Sequence, residues 1–296
     1  MPGRRAPDSE PTAQIFKLRV RTVFRHYPKA IAGEEEAVHQ VRVSGRRLRV
    51  ALPLLARKPK GKRVRRVNKG IKQLVRTAGA GRDLDVILGL FERETAHEFE
   101  TRPELRTLRS RLRAARARSR RQLVDALLDF EVASLRRDLR RIVSRGAENL
   151  FKLLSRIRAS RDGEGAILEV AIRELGSRFD PGALHDIRIR SRRLRYIAEI
   201  DAAIKEAPSQ AAPLFKEIQA RLGHIQDASV LSSWLGRLAA RAETRGSLGL
   251  ASEARRQETR FLRLSRRFHR EYLEQNPAAL VRRALESLGR KDVSVA

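Results

Sequence analysis

The pattern H-x-x-R-x-x-x-R-R-L-R occurs twice in the chain, first as HQVRVSGRRLR at residues 39–49 and again as HDIRIRSRRLR at residues 185–195. Downstream of each copy, KQLVRTAGAGRDLDV (72–86) aligns with KEIQARLGHIQDASV (216–230), and the two spacings differ by only two residues. An internal duplication is the most economical explanation for this repetition. The sequence therefore predicts two related units of about 140 residues each.

Apolar residues recur at helical intervals almost throughout the chain, and no segment shows a convincing strand alternation. We therefore predict an all-α protein with long helices, preceded by a flexible tail at residues 1–14 that is rich in proline and charge. Glycines indicate helix breaks at 79–81 and within 161–165, whereas Asp180 followed by proline is typical of a helix start. Pro53 is expected either to kink or to end the first motif helix.

The chain is strongly basic, with 65 Lys and Arg against 35 Asp and Glu and a formal net charge of +30. Such a charge repels itself and predicts a polyanionic partner, which can be nucleic acid, an anionic membrane or polyphosphate. Only 5% of the residues are aromatic. Because proteins that grip single-stranded nucleic acid stack bases on aromatic side chains, this composition favours a phosphate chain without bases.

Composition and sequence pattern also bear on the cellular location. There is no cysteine, so neither disulfides nor thiolate chemistry is available. No apolar run approaches the roughly 18 residues that a membrane span needs. The N-terminal residues lack the hydrophobic segment of a secretion signal. We therefore expect a cytoplasmic protein without a membrane span.

The histidine and arginines of the first motif form a ridge along one helix face. At 3.6 residues per turn, His39, Arg42, Arg46 and Arg49 occupy a sector of roughly 80°. An apolar stripe, about 120° away by the same arithmetic, allows the helix to pack while the ridge faces elsewhere. Ordinary exposed faces mix acids with bases at i,i+4, but the motif at 39–49 contains no acid. The ridge therefore predicts phosphate binding, since arginine grips phosphate oxygens bidentately. The apolar stripe consists of Val41, Leu48, Leu52 and Leu55.

A further arginine stripe follows in each half. Each set steps by three or four residues, so its members lie along one face of a helix. From this spacing we interpret both stripes as facing inward and adding to the binding surface. The stripes are Arg106, Arg109, Arg113, Arg116 and Arg120 in the first half, and Arg256, Arg260, Arg263, Arg267 and Arg270 in the second.

Two pairs of repeat-linked residues have more than one interpretation. Asp83 and Asp227, each after a glycine-containing turn, are either catalytic or metal-binding carboxylates or partners that orient a nearby cation, and we favour orientation. His39 and His185 lack neighbouring histidines for a metal site, and no nucleotide-binding motif supports a phosphoryl-acceptor role. We favour contact with phosphate, which stabilises the imidazolium, and a buried structural role is the alternative.

The duplicated histidine–arginine motif, each copy followed by a K…G-x-x-[R/Q]-D-x-x-V block, resembles the CHAD family, the conserved histidine α-helical domain. The resemblance covers residues 15–290. It implies two tandem four-helix bundles related by a pseudo-twofold axis, with repeats at 15–148 and 149–290 and a basic central groove or pore. It also implies binding of inorganic polyphosphate and association with polyphosphate granules. Some CHAD domains are fused to a triphosphate-tunnel catalytic domain, whose acidic β-barrel pattern this sequence lacks.

The family's histidine and basic positions carry over onto both repeats, and the stripe arginines extend the predicted binding set. No catalytic residue, metal ligand or cofactor is predicted. The first repeat contributes His39, Arg42, Arg46, Arg49, Lys69, Lys72, Arg76, Arg109, Arg113, Arg116 and Arg120. The second repeat contributes His185, Arg188, Arg192, Arg195, Lys216, Arg260, Arg263 and Arg267.

The sequence thus predicts a non-catalytic protein that binds inorganic polyphosphate through basic helix faces. A helical RNA- or DNA-binding protein is the first alternative, because weak nonspecific binding of nucleic acid is expected of so basic a chain at low salt. An enzyme of phosphate metabolism is the second alternative, and it would need a metal cluster or an activated nucleophile. Asp83, Asp85 and Asp227 are the only carboxylates in repeat-linked positions that could serve it.

Overall fold

The computed structural model describes residues 10–144 and 149–289, and every regular element within these ranges is helical. The apolar spacing therefore predicts the fold class correctly. A 3-10 turn at Ala96–Glu98 lies between the fourth and fifth helices. In chain order the helices are α1 (Glu10–Arg25), α2 (Tyr27–Ile31), α3 (Glu35–Leu55), α4 (Lys62–Thr95), α5 (Pro103–Leu128), α6 (Val132–Ser144), α7 (Leu150–Leu175), α8 (Pro181–Lys205), α9 (Ala211–Glu243), α10 (Leu248–Glu274) and α11 (Pro277–Gly289).

The N-terminal helix begins inside the segment predicted to be a flexible tail. α1 starts at Glu10, five residues before the expected domain start, and both Thr12 and Phe16 are buried. Burial of Phe16 in the core stabilises this first turn and a half of helix. The remainder of the predicted tail, residues 1–9, lies outside the described ranges.

Prolines lie near the ends of both motif helices. In α8, Pro181 follows the N-cap residue Asp180, whose carboxylate accepts hydrogen bonds from two N–H groups of the first turn at 2.9 and 3.1 Å. This confirms the predicted helix start. In α3, Pro53 lies inside the helix, which runs on only to Leu55. The proline therefore marks the last turn of the first motif helix.

The helix breaks predicted at 79–81 and 161–165 are wrong, because α4 and α7 run through these positions without interruption. A glycine inside a helix costs only about 1 kcal/mol, which packing of the apolar face outweighs. Gly165 shows such packing, since a methyl group built on it would lie 3.0 Å from a methyl carbon of Leu285. The two repeat-linked aspartates accordingly lie within helices and not after turns.

Three apolar cores hold the helices together. The first joins α1–α4 and α6 to parts of α5, α7 and α8, and Phe16 is buried in it. The second lies among α7–α11 around Phe215. The third joins the C-terminal parts of α4 and α9 to α5 and α10, with the rings of Phe91 and Phe261 6.0 Å apart. Two of these three cores contain side chains from both halves of the chain.

The two halves of the chain contact each other through the motif helices α3 and α8 and through the helices that follow them. α3 packs against α8, and α4 packs against α9. The predicted apolar stripe of α3, from Val41 to Leu55, is fully buried, which confirms that this side of the helix faces the core. The expected repeat boundary at 148 falls within residues 145–148, which lie outside the described ranges, and the internal duplication stays a prediction.

Candidate functional site

Four arginines from the two motif helices lie close enough to repel one another where α3 meets α8. Arg42 and Arg46 come from α3, and Arg188 and Arg192 come from α8. Arg46 is repelled by Arg192 and Arg42, while Arg192 is repelled by Arg188 and Arg42. We call these four residues the central cluster. The structure thus brings together the ridges that the sequence predicts for the two repeats.

Arg46 and Arg192 are the least compensated cations of the central cluster. Burial, together with repulsion from Arg192 and Arg42, lowers the pKa of Arg46 to about 9. Burial and repulsion from neighbouring arginines likewise lower the pKa of Arg192 to about 10, although Tyr196 acts in the opposite direction. Within the described ranges neither guanidinium has an ion pair or a hydrogen bond. Both remain charged at neutral pH, so the cluster presents uncompensated positive charge.

The other two members of the central cluster, Arg42 and Arg188, each lie against a glycine. Nη1 of Arg42 donates to Oδ1 of Asp83 at 2.9 Å and to the carbonyl oxygen of Gly79 at 3.3 Å. On α9, a methyl group built on Gly223 would lie 3.5 Å from Nη2 of Arg188. Because neither glycine has a side chain, each guanidinium can lie against the backbone of the neighbouring helix. The preferred role of Asp83, to orient an arginine, is confirmed.

Asp227 occupies the corresponding place in the second half. Burial raises its pKa, and Arg188 and His224 oppose this shift by favouring the carboxylate. Asp83 is close enough to raise the pKa of Asp227 further by repulsion. The two aspartates therefore lie close enough for their charges to interact.

One carboxylate, that of Glu199 on α8, lies beside the central cluster and binds three arginines. It accepts from Arg47 through Nε at 2.8 Å and through Nη2 at 3.0 Å. Arg19 of α1 lies 3.7 Å from the same group, and Arg195 lies 3.6 Å away. The ring of Tyr196 lies 5.0 Å from the guanidinium carbon of Arg195 and 5.6 Å from that of Arg47. This group carries an excess of positive charge, and the sequence analysis assigned no role to Glu199 or Tyr196.

The predicted residues that continue the ridges differ in exposure. Burial and repulsion from Arg193 lower the pKa of Arg49, and its Nε is buried without a hydrogen-bond partner. His39 is half-buried in α3. His185 is exposed in α8, and its Nδ1 lies 3.2 Å from Oε1 of Gln226. The histidines thus lie at the N-terminal ends of the two basic ridges.

The predicted lysines and Arg76 lie outside the buried part of the cluster. Each is exposed, and none has an ion pair within the described ranges. Lys216 lines a cavity of about 730 Å³ between α8 and α9, together with Arg47, Arg195 and Glu199. These four predicted binding residues are Lys69, Lys72 and Arg76 on α4 and Lys216 on α9.

The stripe on α5 is largely neutralised by acidic residues. Arg113 pairs with Glu92 at 2.5 Å. Arg116 pairs with Asp85 at 2.5 Å and also with Glu35, and Arg120 reaches Glu35 at 2.6 Å. The α5 stripe therefore faces the start of α3 and the C-terminal part of α4, where acids compensate its charges. Arg109 instead lies with its guanidinium carbon 4.3 Å from the centroid of the Phe99 ring.

The stripe on α10 is not joined to the central cluster by any contact within the described ranges. Arg260 donates to the carboxylate of Glu98 and to the carbonyl oxygen of Glu94, at the end of α4. Arg267 lies 3.6 Å from Glu271 on its own helix, and Arg263 is exposed. Spacing alone predicted an inward orientation for this stripe, and these contacts place its charges beside α4 or along α10.

The described ranges contain neither a candidate metal centre nor a candidate membrane span. No group of three or more His, Cys, Asp or Glu side chains is arranged there to hold a metal ion. No helix within these ranges has both the length and the apolar character needed to span a bilayer.

The chain belongs to the CHAD domain family, whose sequence profile matches residues 14–236. The CHAD domain from the plant Ricinus communis is similar in structure over 95% of this chain and 92% of that chain, with a TM-score of 0.62 and 21% sequence identity. PptA from Streptomyces chartreusis is similar over 91% of this chain and 100% of that chain, with a TM-score of 0.64 and 15% identity. At these identities the structural likeness shows the fold alone. No curated protein matches the sequence.

Proposed function

We propose that this protein binds inorganic polyphosphate at the central cluster without catalysing a reaction, and that binding targets it to polyphosphate granules. The observation that carries the proposal is the pair Arg46 and Arg192. These guanidinium groups are partly buried and are repelled by neighbouring arginines, and within the described ranges neither has an ion pair or hydrogen bond to a carboxylate, although the charge of Asp83 partly offsets the repulsion at Arg46. Folding leaves their charge uncompensated, and an anion with several closely spaced charges would compensate it.

A linear phosphate chain matches the geometry of the cluster. Arginines on two helices can each contact phosphates that follow one another along the chain, and each bidentate contact is charge-assisted. Release of counterions condensed on the polyanion adds an entropic driving force, by analogy with nucleic acids. Affinity should therefore fall steeply with salt and rise with chain length, because neighbouring phosphates increase the effective concentration.

Nucleic acid suits the same cluster less well. Tyr196 is the aromatic residue beside the arginines, and it is buried, with Arg47 and Arg195 next to its ring. It therefore offers no exposed ring on which a base could stack. Membership of the CHAD family, which is linked to polyphosphate, supports the same choice.

The absence of catalysis is part of the proposal. Asp83 and Asp85, two of the carboxylates considered for an enzyme, are engaged by Arg42 and Arg116. Each therefore already has a structural partner that holds it in place. The direct test is an assay for phosphate release from long-chain polyphosphate with added magnesium or manganese, in which we expect no turnover.

The binding test is a titration of labelled polyphosphate, short and long, at several salt concentrations. The double variant Arg46→Ala/Arg192→Ala should bind at least about ten-fold more weakly, since hydrogen bonds to charged groups contribute roughly 1.5–3 kcal/mol each. The matched control is Arg237→Ala/Arg241→Ala, which removes the same charge from exposed positions on α9. Equal losses in the two double variants would show that only net charge matters and would contradict the proposal.

Two further measurements separate the alternatives. At physiological salt, excess RNA should fail to displace long-chain polyphosphate, and ready displacement would favour a nucleic-acid-binding protein. A fluorescent fusion should co-localise with granules in cells that store polyphosphate. The Arg46→Ala/Arg192→Ala variant should be diffuse in the same cells, whereas the α9 control variant should still co-localise.

A further inference from the structure

A second basic surface lies between α1 and α6 and is separate from the central cluster. It consists of two adjoining cavities, of about 480 and about 730 Å³, which share Phe24, Arg136 and Arg140. Arg19 lies on the other side of α1, because the step of two residues from Arg19 to Arg21 corresponds to about 200° of helix rotation. Arg19 reaches Glu199 beside the central cluster, so this groove faces away from that site.

The floor of the groove is apolar. Val20 and Phe24 of α1 and Val143 of α6 line one cavity, while Phe24, Pro28 and Val132 line the other. Phe24 is only partly buried, although it packs against the first core. Because the ring of Phe24 and the side chains of Val132 and Val143 are only partly buried, a ligand gains free energy here by bringing apolar surface of its own.

The rims of the groove are basic and carry no acid. Lys17, Arg21 and Arg25 follow one another at i,i+4 along α1, and Arg136 and Arg140 do the same on α6. All five are exposed, and none has an ion pair within the described ranges. Like charges at i,i+4 destabilise a helix slightly. The rims are therefore electrostatically uncompensated in the free protein.

The acid on α6 is directed to the opposite side of that helix. Asp138 is buried and pairs with Arg66 of α4 at 2.6 Å and with Arg63 at 3.6 Å. Its negative charge is thus used to attach α6 to α4. On the outer face of the helix, Arg136 and Arg140 have no ion pair within the described ranges.

We propose that the α1–α6 groove is a docking site for an acidic amphipathic helix of a partner protein. Basic rims match a helix with glutamate and aspartate on its edges, and the apolar floor matches a stripe of leucine or similar residues at i, i+3, i+4 and i+7. Inorganic polyphosphate has no apolar part with which to fill this floor. Nucleic acid fits less well than a helix, because the guanidinium of Arg136 lies 5.8 Å from the centre of the Phe24 ring and occupies the place where a base would stack. The stretch from Lys17 to Arg25 is about 12 Å long, enough for roughly two turns of a partner helix.

The test uses a fluorescent synthetic peptide of about four helical turns, with leucines at that spacing and glutamates elsewhere. A scrambled peptide of the same composition, in which the leucines no longer form a stripe, is the control ligand. We expect the scrambled peptide to bind at least about ten-fold more weakly. Equal binding of the two peptides would overturn the proposal, because charge alone would then explain the affinity.

Variants locate the binding within the molecule. Arg21→Glu/Arg140→Glu should weaken the amphipathic peptide at least about ten-fold, and the milder Arg21→Gln/Arg140→Gln should act in the same direction. Arg237→Glu/Arg241→Glu makes the same charge change on exposed α9 and should have little effect. If the groove variants weaken labelled polyphosphate more than the peptide, the groove is a second phosphate site and the partner-helix proposal is wrong. The proposed function at Arg46 and Arg192 does not depend on this result.

Discussion

The central cluster and the α5 stripe present the same residue type at the same helical spacing, but they differ in what surrounds them. Arg116 on α5 pairs with both Asp85 and Glu35. Arg46 and Arg192 in the central cluster have no ion pair or hydrogen bond to an acid within the described ranges, and repulsion from neighbouring arginines lowers the pKa of both. The periodic arginines of the α5 stripe thus hold helices together through ion pairs, whereas those of the central cluster keep positive charge that a ligand can neutralise.

The difference shows that helical spacing alone does not identify a binding surface. The α5 arginines lie opposite acids on α3 and α4, and such pairs contribute modestly to stability. The central arginines lie where two basic helices meet, so folding places like charges together and costs free energy. A surface that costs free energy in the free protein is a stronger candidate for binding than one that is already neutralised.

The largest expected effect on polyphosphate affinity comes from placing an acid among the central arginines, as acids already lie beside the α5 stripe. Arg192→Glu would place an acid beside Arg46 and should weaken polyphosphate binding by about a hundred-fold, because it removes one charged contact and neutralises another. Fluorescence anisotropy with labelled polyphosphate at physiological salt measures the change. Arg263→Glu, on the exposed α10 stripe, makes the same charge change and should cost less than about five-fold. Similar losses in both variants would remove the distinction between cluster and stripe.

The next effect concerns stability in the absence of ligand. Burial lowers the pKa of Arg46 from its ordinary value to about 9 in the folded protein, so at neutral pH the fold bears the full cost of the buried charge. Arg46→Met keeps most of the aliphatic packing and removes that cost. It should raise the melting temperature by about 2–4 °C, which corresponds to roughly 1 kcal/mol in a protein of this size.

The pH dependence of the same variant provides its control. As pH rises above 9, the unfolded state holds the Arg46 proton more tightly than the folded state, so the stability contributed by this group rises with pH. The advantage of Arg46→Met should therefore shrink above pH 9 in thermal unfolding monitored by circular dichroism. Arg237→Met at an exposed position should not change the melting temperature at either pH. A lower melting temperature for Arg46→Met at neutral pH would mean that Arg46 stabilises the free fold.

The features that the sequence predicts correctly are those that depend on one helix at a time. The buried stripe from Val41 to Leu55 follows from helical periodicity, and the start of α8 follows from the capping chemistry of Asp180. The helix breaks at 79–81 and 161–165 were predicted wrongly because the composition of a helix interior does not show which glycines pack against a neighbour. Gly79 lies in α4 with the guanidinium of Arg42 against it.

The features that the sequence does not reveal are contacts between distant segments. Arg116 and Glu35 are separated by 81 residues, and Arg47 and Glu199 by 152 residues. No local pattern shows that Glu35 reaches the α5 stripe or that Glu199 binds three arginines beside the central cluster. The spacing of Arg113 and Arg263 predicts the face of the helix on which they lie, but tertiary packing determines whether that face meets an acid, a cation or solvent.

A smaller effect on polyphosphate affinity is expected from removing an acid beside the α5 stripe, which leaves arginines of the stripe without their ion-pair partner. Glu35→Gln removes the acid shared by Arg116 and Arg120 and should increase polyphosphate affinity by about three-fold at low salt, in line with the free energy of an exposed ion pair. Glu36→Gln is a matched control, because it makes the same charge change at the next residue, where Glu36 accepts a hydrogen bond from Gln40 at 2.5 Å. Equal gains in both variants would show that affinity follows net charge and not the release of the stripe.

The smallest effect concerns the histidines at the ends of the two ridges. If His39 and His185 contact phosphate, affinity should rise about two-fold from pH 8 to pH 6, because a bound polyanion favours the imidazolium over the neutral ring. The gain is expected to be small because His185 is exposed and already lies 3.2 Å from an oxygen of Gln226. Titrations of the double variant His39→Ala/His185→Ala should lose this pH dependence, whereas His97→Ala, in the exposed 3-10 turn, should keep it. An unchanged pH dependence in the double variant would remove both histidines from the binding surface and leave the arginines of the central cluster as its essential part.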